Sequence, residues 1–570
     1  MIQLKRQGWL SGLAIAGLLI AACAPAAPTG NVPAAAEPTK PAAEAAPAEA
    51  GPFEPLKVEA PNCDYGGEFK SMEAVDAMTV KFTLCAPDPA FPSKVAFVSN
   101  NIQDADYLAA TGGGGDLVEK PNGTGPYTLS EWRRGDQIIM KRNENYWGDK
   151  AKAENLVIRW STESAQRLVE LQAGTVDGIS NVGADDFETV KGDANMQLLE
   201  FASSNIFYLG MNNTYAPFDN ETVRQAIAMG IDRERLVKNF YPPASSVAKE
   251  FMPPSIFGYT GKVDWYPYDP AQAKKMLEEA GVTLPFKTTL SYRDVVRGYL
   301  PSPGTIAQDL QAQLKEIGIE VDINVMESGA FLDAAAAGEL DGLFMLGWGA
   351  DYPDATNFLD VHFGPGASKS FGKGFEDIWT VLKSAATVAD QQARLPFYEE
   401  ANKLIKQHVP MVPVAHGGSA DAFKADVVGA YDPQAGAIHF AFLTPGDRDT
   451  FVFLQNGEPP GLYCGDETDG EALGVCEQFG ESLLAYKPGG NGAVIPALAT
   501  EFSANADLTE WTFKLREGVQ FHNGATLDAN DVIVSYAMQW DVKHPLHVGR
   551  SGEFTYFPSL FGPQLNKPAE

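Results

Sequence analysis

Positive charge is in short supply in this 570-residue chain: 43 lysines and arginines stand against 74 aspartates and glutamates, a formal net charge of −31 at pH 7. Phosphate backbones are held by clustered Lys and Arg, so nucleic acid is excluded as a partner. The acidic excess reads as a solvated surface that keeps the protein soluble. Histidine is sparse too. The seven (His362, His408, His416, His439, His522, His544 and His547) are scattered, and in the one close pair, His544 and His547, an intervening proline spoils a helical ligand face. No two cysteines have CxxC spacing or a histidine partner nearby, which argues against zinc. A GxSxG nucleophile elbow, HExxH, a Walker A loop and a GxGxxG following a strand are all absent, and with them the commonest routes to catalysis. The glycines Gly112 to Gly115 are able to cradle a phosphate, but Asp116 beside them repels an anion, and a surface loop is the plainer reading. An exported hydrolase therefore has no residue set behind it. The sequence predicts no cofactor, no metal site and no enzymatic activity.

A membrane-spanning run is missing where it is most nearly approached. After Lys5 and Arg6, the stretch Leu10 to Ala22 is almost wholly apolar. At ~1.5 Å per residue it makes about 20 Å of helix, short of the ~30 Å of a bilayer core. Residues 1–22 read as a signal peptide. The small residues Ala21 and Ala22 before Cys23 resemble a lipobox, which implies a diacylglyceryl thioether on Cys23 and anchoring to the cell membrane, in the periplasm or on its outer face. Residues 23–52 are dominated by Ala, Pro, Glu and Thr; such a composition builds no core, and its prolines favour an extended tether. Four cysteines remain: Cys63, Cys85, Cys464 and Cys476. An even number in an exported protein suggests disulfides, and of the three pairings the local one, 63 with 85 and 464 with 476, is preferred.

What is present suits a large globule. Hydrophobic residues make up 45% of the chain and aromatics 11%, ample for packed cores, and the length suits two lobes or more. Alternation predicts strands at Val80–Leu84 and Ile138–Lys141, with a turn region over Glu73–Met78. Helical spacing predicts helices over Ala165–Leu171, Val223–Val237 (N-capped from Asp219-Asn220), Pro270–Ala280, Ile306–Ile317 and Gln391–His408. Short apolar strands follow at 320–325, 342–346 and 411–415. Helices and strands alternate through the middle third, so the fold class is α/β with a partly parallel sheet there and mixed, strand-rich structure elsewhere.

A series of motifs is more specific. Gly123-Thr124-Gly125-Pro126-Tyr127 precedes Glu131-Trp132, Arg134-Gly135-Asp136 and Asn145-Tyr146-Trp147-Gly148; later come Leu171-Gln172-Ala173-Gly174 and Met211-Asn212-Asn213; then Pro217-Phe218-Asp219, Val223 to Ile227, and Gly347-Trp348-Gly349-Ala350-Asp351-Tyr352-Pro353-Asp354. Together they resemble the family 5 extracellular solute-binding proteins, the dipeptide, oligopeptide and nickel binders of ABC importers. Trp511 to Val519, Phe521 to Gly524 and Asp531-Val532 resemble that family's early signature, and Glu481 to Leu484 another early motif, yet here they come last. The order reads as a circular permutation, with the usual ends fused around Phe440 to Phe453.

The resemblance implies a periplasmic-binding-protein-like fold: two lobes with mixed sheets around a ligand cleft, closing by a hinge motion. Residues 53–211 and 419–570 would form the larger lobe and 212–418 the smaller, with crossings near Met211 and Gly418. It implies a monomer that hands di- or oligopeptides to ABC permease subunits; oligosaccharides, haem and metal chelates are the alternative ligands. Asp351 matches the family's aspartate for the peptide α-ammonium group. Trp348 would wall the pocket, and the backbone of Gly347 and Gly349 would address the peptide chain. Arg297, in Arg297-Gly298-Tyr299, aligns with an arginine that pairs with the ligand carboxylate; Arg293, four residues earlier, is the substitute.

Overall fold

The computed structural model describes residues 53–568 except 203, 365, 366, 368, 432–436 and 491; residues 1–22, read above as a signal peptide, and 23–52, read as Cys23 and a tether, lie outside the described residues. Three larger sheets organise the chain. A six-stranded sheet is built wholly from residues 246–247, 411–416, 205–211, 343–349, 286–293 and 319–326, in that spatial order. It is parallel at one edge, where strand Phe286–Arg293 meets Ile319–Met326 and the helix Pro303–Glu316 joins them, and antiparallel at its centre, where Leu343–Gly349 meets Asn205–Met211. One hydrophobic core drawn from residues 206–415 surrounds this sheet. A seven-stranded sheet, a five-stranded sheet and two two-stranded ribbons use the other described strands.

The chain passes between these bodies twice: from strand Met196–Ala202 into Asn205–Met211, and from Met411–His416 into Gly418–Lys424. The first passage therefore precedes Met211, which ends a fully buried strand. The second runs through Gly417, where an added Cβ would lie 2.0 Å from the Gly298 carbonyl oxygen.

The two ends of the described chain are interleaved. The five-stranded sheet has the order 57–59, 69–76, 79–84, 510–515, 499–504, and Thr79–Leu84 pairs antiparallel with Glu510–Leu515. The helix Ala529–Trp540 starts at a capping box of Asp528 and Asp531, worth about 1 kcal/mol. It packs Tyr536 and Trp540 on that sheet, with ring centroids 5.0 Å from Phe82 and 6.1 Å from Phe69 respectively. The strand Thr450–Gln455 runs parallel to Asn155–Trp160, and Phe453 lies 4.7 Å from Phe440. Disulfides join Cys63 to Cys85 and Cys464 to Cys476.

Two local expectations change. The predicted helix Val223–Val237 is two helices, Glu221–Gly230 and Arg233–Phe240, because Asp232 takes an N-cap role and accepts from the Arg235 N–H. Glu73 to Asp76 belong to the strand Phe69–Asp76 rather than to a turn; pairing with the strand Thr79–Leu84 extends the strand to the tight connection at Ala77-Met78.

Candidate functional site

At the carboxyl ends of the strands Phe286–Arg293 and Leu343–Gly349, a cavity of about 430 Å³ gathers Arg293, Tyr299, Gly347, Trp348, Gly349 and Asp351. Arg297 does not join them. It sits in a tight turn whose backbone bridges Leu300, is exposed, and donates from Nη1 to the neighbouring Val296 carbonyl at 3.0 Å. The substitute arginine occupies the site because Arg293 is the last residue of its strand and stands at the strand's open end.

The backbone of the Leu343–Gly349 strand supplies a second recognition element. Ala350 N donates to Ser204 O at 2.8 Å. In an antiparallel ladder this alternation turns the N–H and C=O of Gly347 and Gly349 away from the strand Asn205–Met211, toward the opposite edge. That edge pairs with Phe286–Arg293 only at Leu343 and Phe344, so from Met345 onward it is unpaired among the described strands. The two glycines serve different needs. A Cβ on Gly347 would lie 2.3 Å from the Tyr299 ring and 2.4 Å from the Ile206 carbonyl oxygen, whereas a Cβ on Gly349 would meet nothing within 4 Å. Gly347 permits close packing; Gly349 keeps the cavity open.

Asp351 is held from both sides. Asn357 Nδ2 donates to its Oδ2 at 3.2 Å, and so does Ser559 Oγ, from a helix 208 residues away in sequence. Among the described residues no lysine or arginine pairs with it. Burial pushes the Asp351 carboxyl above the usual range, the two hydrogen bonds opposing only part of the shift. Arg293 is the complementary case. Its guanidinium donates to Ser328 Oγ at 3.0 Å and makes a longer contact of 3.4 Å to the Tyr299 hydroxyl, with no carboxylate partner among the described residues. One cavity thus contains an anion and a cation, each without a counter-ion among the described residues.

The supporting residues escaped the sequence reading. Asn357 is 1% exposed, and its Oδ1 accepts from Trp348 Nε1 at 3.2 Å and from Asp351 N at 3.0 Å, tying pocket wall to carboxylate. Asp354 and Arg394 form a buried pair at 2.7 and 3.1 Å that clamps the loop below. Asp354 closes the recognised motif and Asn357 lies three residues beyond it, so both were findable by proximity; Ser559 and Arg394 carried no local signal. Tyr352, between Asp351 and Asp354, inserts into the hydrophobic core of the facing body and lies under Lys94, 5.8 Å from its ring centroid. His362 also lines the cavity; burial drives its pKa down to about 4 and keeps it neutral, with Nδ1 on the Phe358 carbonyl oxygen.

Comparison with known proteins identifies the family. The family model described as bacterial extracellular solute-binding proteins, family 5 Middle, matches residues 35–370 and 493–553. A di/tripeptide-binding protein 1 of Pseudomonas aeruginosa (strain UCBPP-PA14) is 32% identical over 68% of this chain and 71% of its own length. A heme-binding protein A of Haemophilus influenzae is 32% identical over 61% of this chain and 64% of its own. Among solved structures, HbpA2 from Haemophilus parasuis superposes with a TM-score of 0.61 at 30% identity, covering 64% of this chain and 73% of that one. A dipeptide-binding protein from Pseudoalteromonas sp. SM9913 in complex with Met-Leu reaches 0.53 at 26% identity, covering 66% and 76%. With most of its length matched, this chain belongs to the family 5 bacterial extracellular solute-binding proteins.

Proposed function

We propose that the protein is a receptor for short peptides that delivers them, outside the cytoplasm, to an ABC importer. The observation that carries this reading is the pair of uncompensated charges in one cavity, Asp351 and Arg293, with the unpaired strand edge at Gly347 and Gly349 between them. A zwitterionic peptide answers all three: its ammonium meets Asp351, its carboxylate meets Arg293, and its amide groups meet the strand edge. Relatives named for di- and tripeptides support the same ligand class. Calorimetry tests it: free dipeptides bind, and N-acetylated ones bind at least about 30-fold more weakly, the loss of one partner of a desolvated charge pair. Equal affinity for free and acetylated peptides removes the ammonium clamp. It would favour a chelate ligand, the second reading, to which His362 in the cavity and the relative named for heme lend support. We read the protein as a carrier rather than a catalyst, so bound peptide is recovered intact.

The reading extends to the rest of the molecule. Residues 53–202 with 418–568 are taken as the larger lobe and 205–416 as the smaller, closing on the ligand. The chain order is read as permuted, supported by the separate late match at 493–553 and by strands from both chain ends sharing one sheet. Cys23 is read as a lipid anchor. No helix of the described residues is long and apolar enough to cross a membrane. In cells, Cys23→Ser releases the protein from membranes or stalls its processing; an unaltered membrane fraction contradicts the anchor.

A further inference from the structure

One wall of the cavity has a composition and a direction. The helix Ser328–Ala337 begins at the residue whose hydroxyl holds Arg293. Leu332, Ala335 and Ala336 stand four, seven and eight positions beyond Ser328, hence on the same helical face, and all three line the cavity. Val361 faces the same space from the helix Thr356–Phe363. Leu332 and Val361 each remain 39% exposed, so their aliphatic surface is turned to the cavity instead of being finished within a core. Among the described lining residues the only charged side chains are Arg293 and Asp351, His362 being neutral.

We propose that this wall is the subsite for the side chain at the carboxyl end of the ligand, and that it selects short peptides ending in an aliphatic residue over those ending in a charged one. The proposal rests on the peptide reading above, with the ligand carboxylate at Arg293. Since Ser328 fixes Arg293 and starts the apolar face, the side chain nearest the carboxylate is the one laid against Leu332. An aliphatic group there covers exposed apolar surface. A charged group would lose water with no free partner, because Arg293 and Asp351 are engaged by the peptide's own termini.

Calorimetry with Ala-Ala, Ala-Leu, Ala-Asp and Ala-Lys tests it. Ala-Leu should bind about tenfold or more tightly than Ala-Asp and Ala-Lys, with Ala-Ala between. In Leu332→Asp, at a position exposed enough to accept the change, the advantage of Ala-Leu over Ala-Ala should vanish and Ala-Lys should improve. If that variant does not fold, Leu332→Ala serves, with a loss of about threefold or more for Ala-Leu and none for Ala-Ala. Equal binding of all four dipeptides, or preference for a charged one, overturns the subsite and leaves the peptide reading standing. Binding of none overturns both.

Discussion

Asp351 brings a negative charge into a half-buried place where, among the described residues, its carboxylate is held by an amide and a hydroxyl. Replacing it by alanine should weaken dipeptide binding by about 30-fold or more in calorimetry, while Ser559→Ala, which removes only the contact from the opposite helix, should cost less than about tenfold. The pH dependence follows from the direction of its shift. Burial raises the Asp351 pKa, and only the ionised form holds an ammonium, so affinity should fall as the solution is acidified through that raised value. Stability runs the other way at a second buried carboxyl. Asp421 is pushed up to about 7 by burial, against the opposing hydrogen bond from Asn181 N. Its folded pKa exceeds its unfolded one, so its destabilising cost is absent below the ordinary carboxylate range, grows as pH rises from that range to about 7, and is constant above. Asp421→Asn, which keeps an acceptor for Asn181 N–H, should therefore raise the melting temperature more at pH 8 than at pH 5 in scanning calorimetry. An equal rise at both pH values would contradict the shift. The residues that do this work were unequally legible. Asp351 and Trp348 stand in a recognisable motif, but choosing between Arg293 and Arg297 required knowing where the strand Phe286–Arg293 stops, and four residues decide whether a guanidinium reaches the cavity or folds back on its own turn.

Among elements, the strand Leu343–Gly349 has the greatest consequence for function. Its first residues are paired on both sides and its last ones on one side only, so the same element is core at one end and binding edge at the other. The two glycines separate these duties. Gly347→Ala must displace the Tyr299 ring and should destabilise the protein by about 1–3 kcal/mol in chemical denaturation, the usual cost of overpacking. Gly349→Ala should leave stability nearly unchanged and reduce peptide affinity by about tenfold, because the new methyl enters space the ligand needs. A reversed pattern would place the ligand elsewhere. Most long helices were legible from periodicity and caps: Gln391–His408 is found with those bounds, because its apolar spacing and the following Pro410 are local facts. The split at Ile231-Asp232 was less visible, since both halves share an amphipathic pattern and only the cap hydrogen bond separates them.

For the whole molecule, the joining of distant segments makes a sharp prediction. Phe561 O accepts from Glu68 N at 2.8 Å, and Leu565 O accepts from Val542 N at 3.1 Å. A chain reopened between Leu443 and Thr450, with Asn566 linked to Lys57 by a short flexible segment, should fold and bind dipeptides with unchanged affinity. Loss of folding would show that the present order is required by more than connectivity. The disulfides belong to this scale too: each closes a short loop, and converting either pair to serine should cost about 3 kcal/mol in denaturation. By itself the sequence determined the alternation of helices and strands, the α/β class and the identity of the motif that carries Asp351, because periodicity, caps and short motifs are written in neighbouring residues. Only the tertiary structure decided that Arg293 rather than Arg297 faces the cavity, that Ser559 reaches Asp351 across 208 residues, and that a strand edge is left unpaired there. Those outcomes depend on where separate strands end relative to one another, which packing sets and local sequence does not encode.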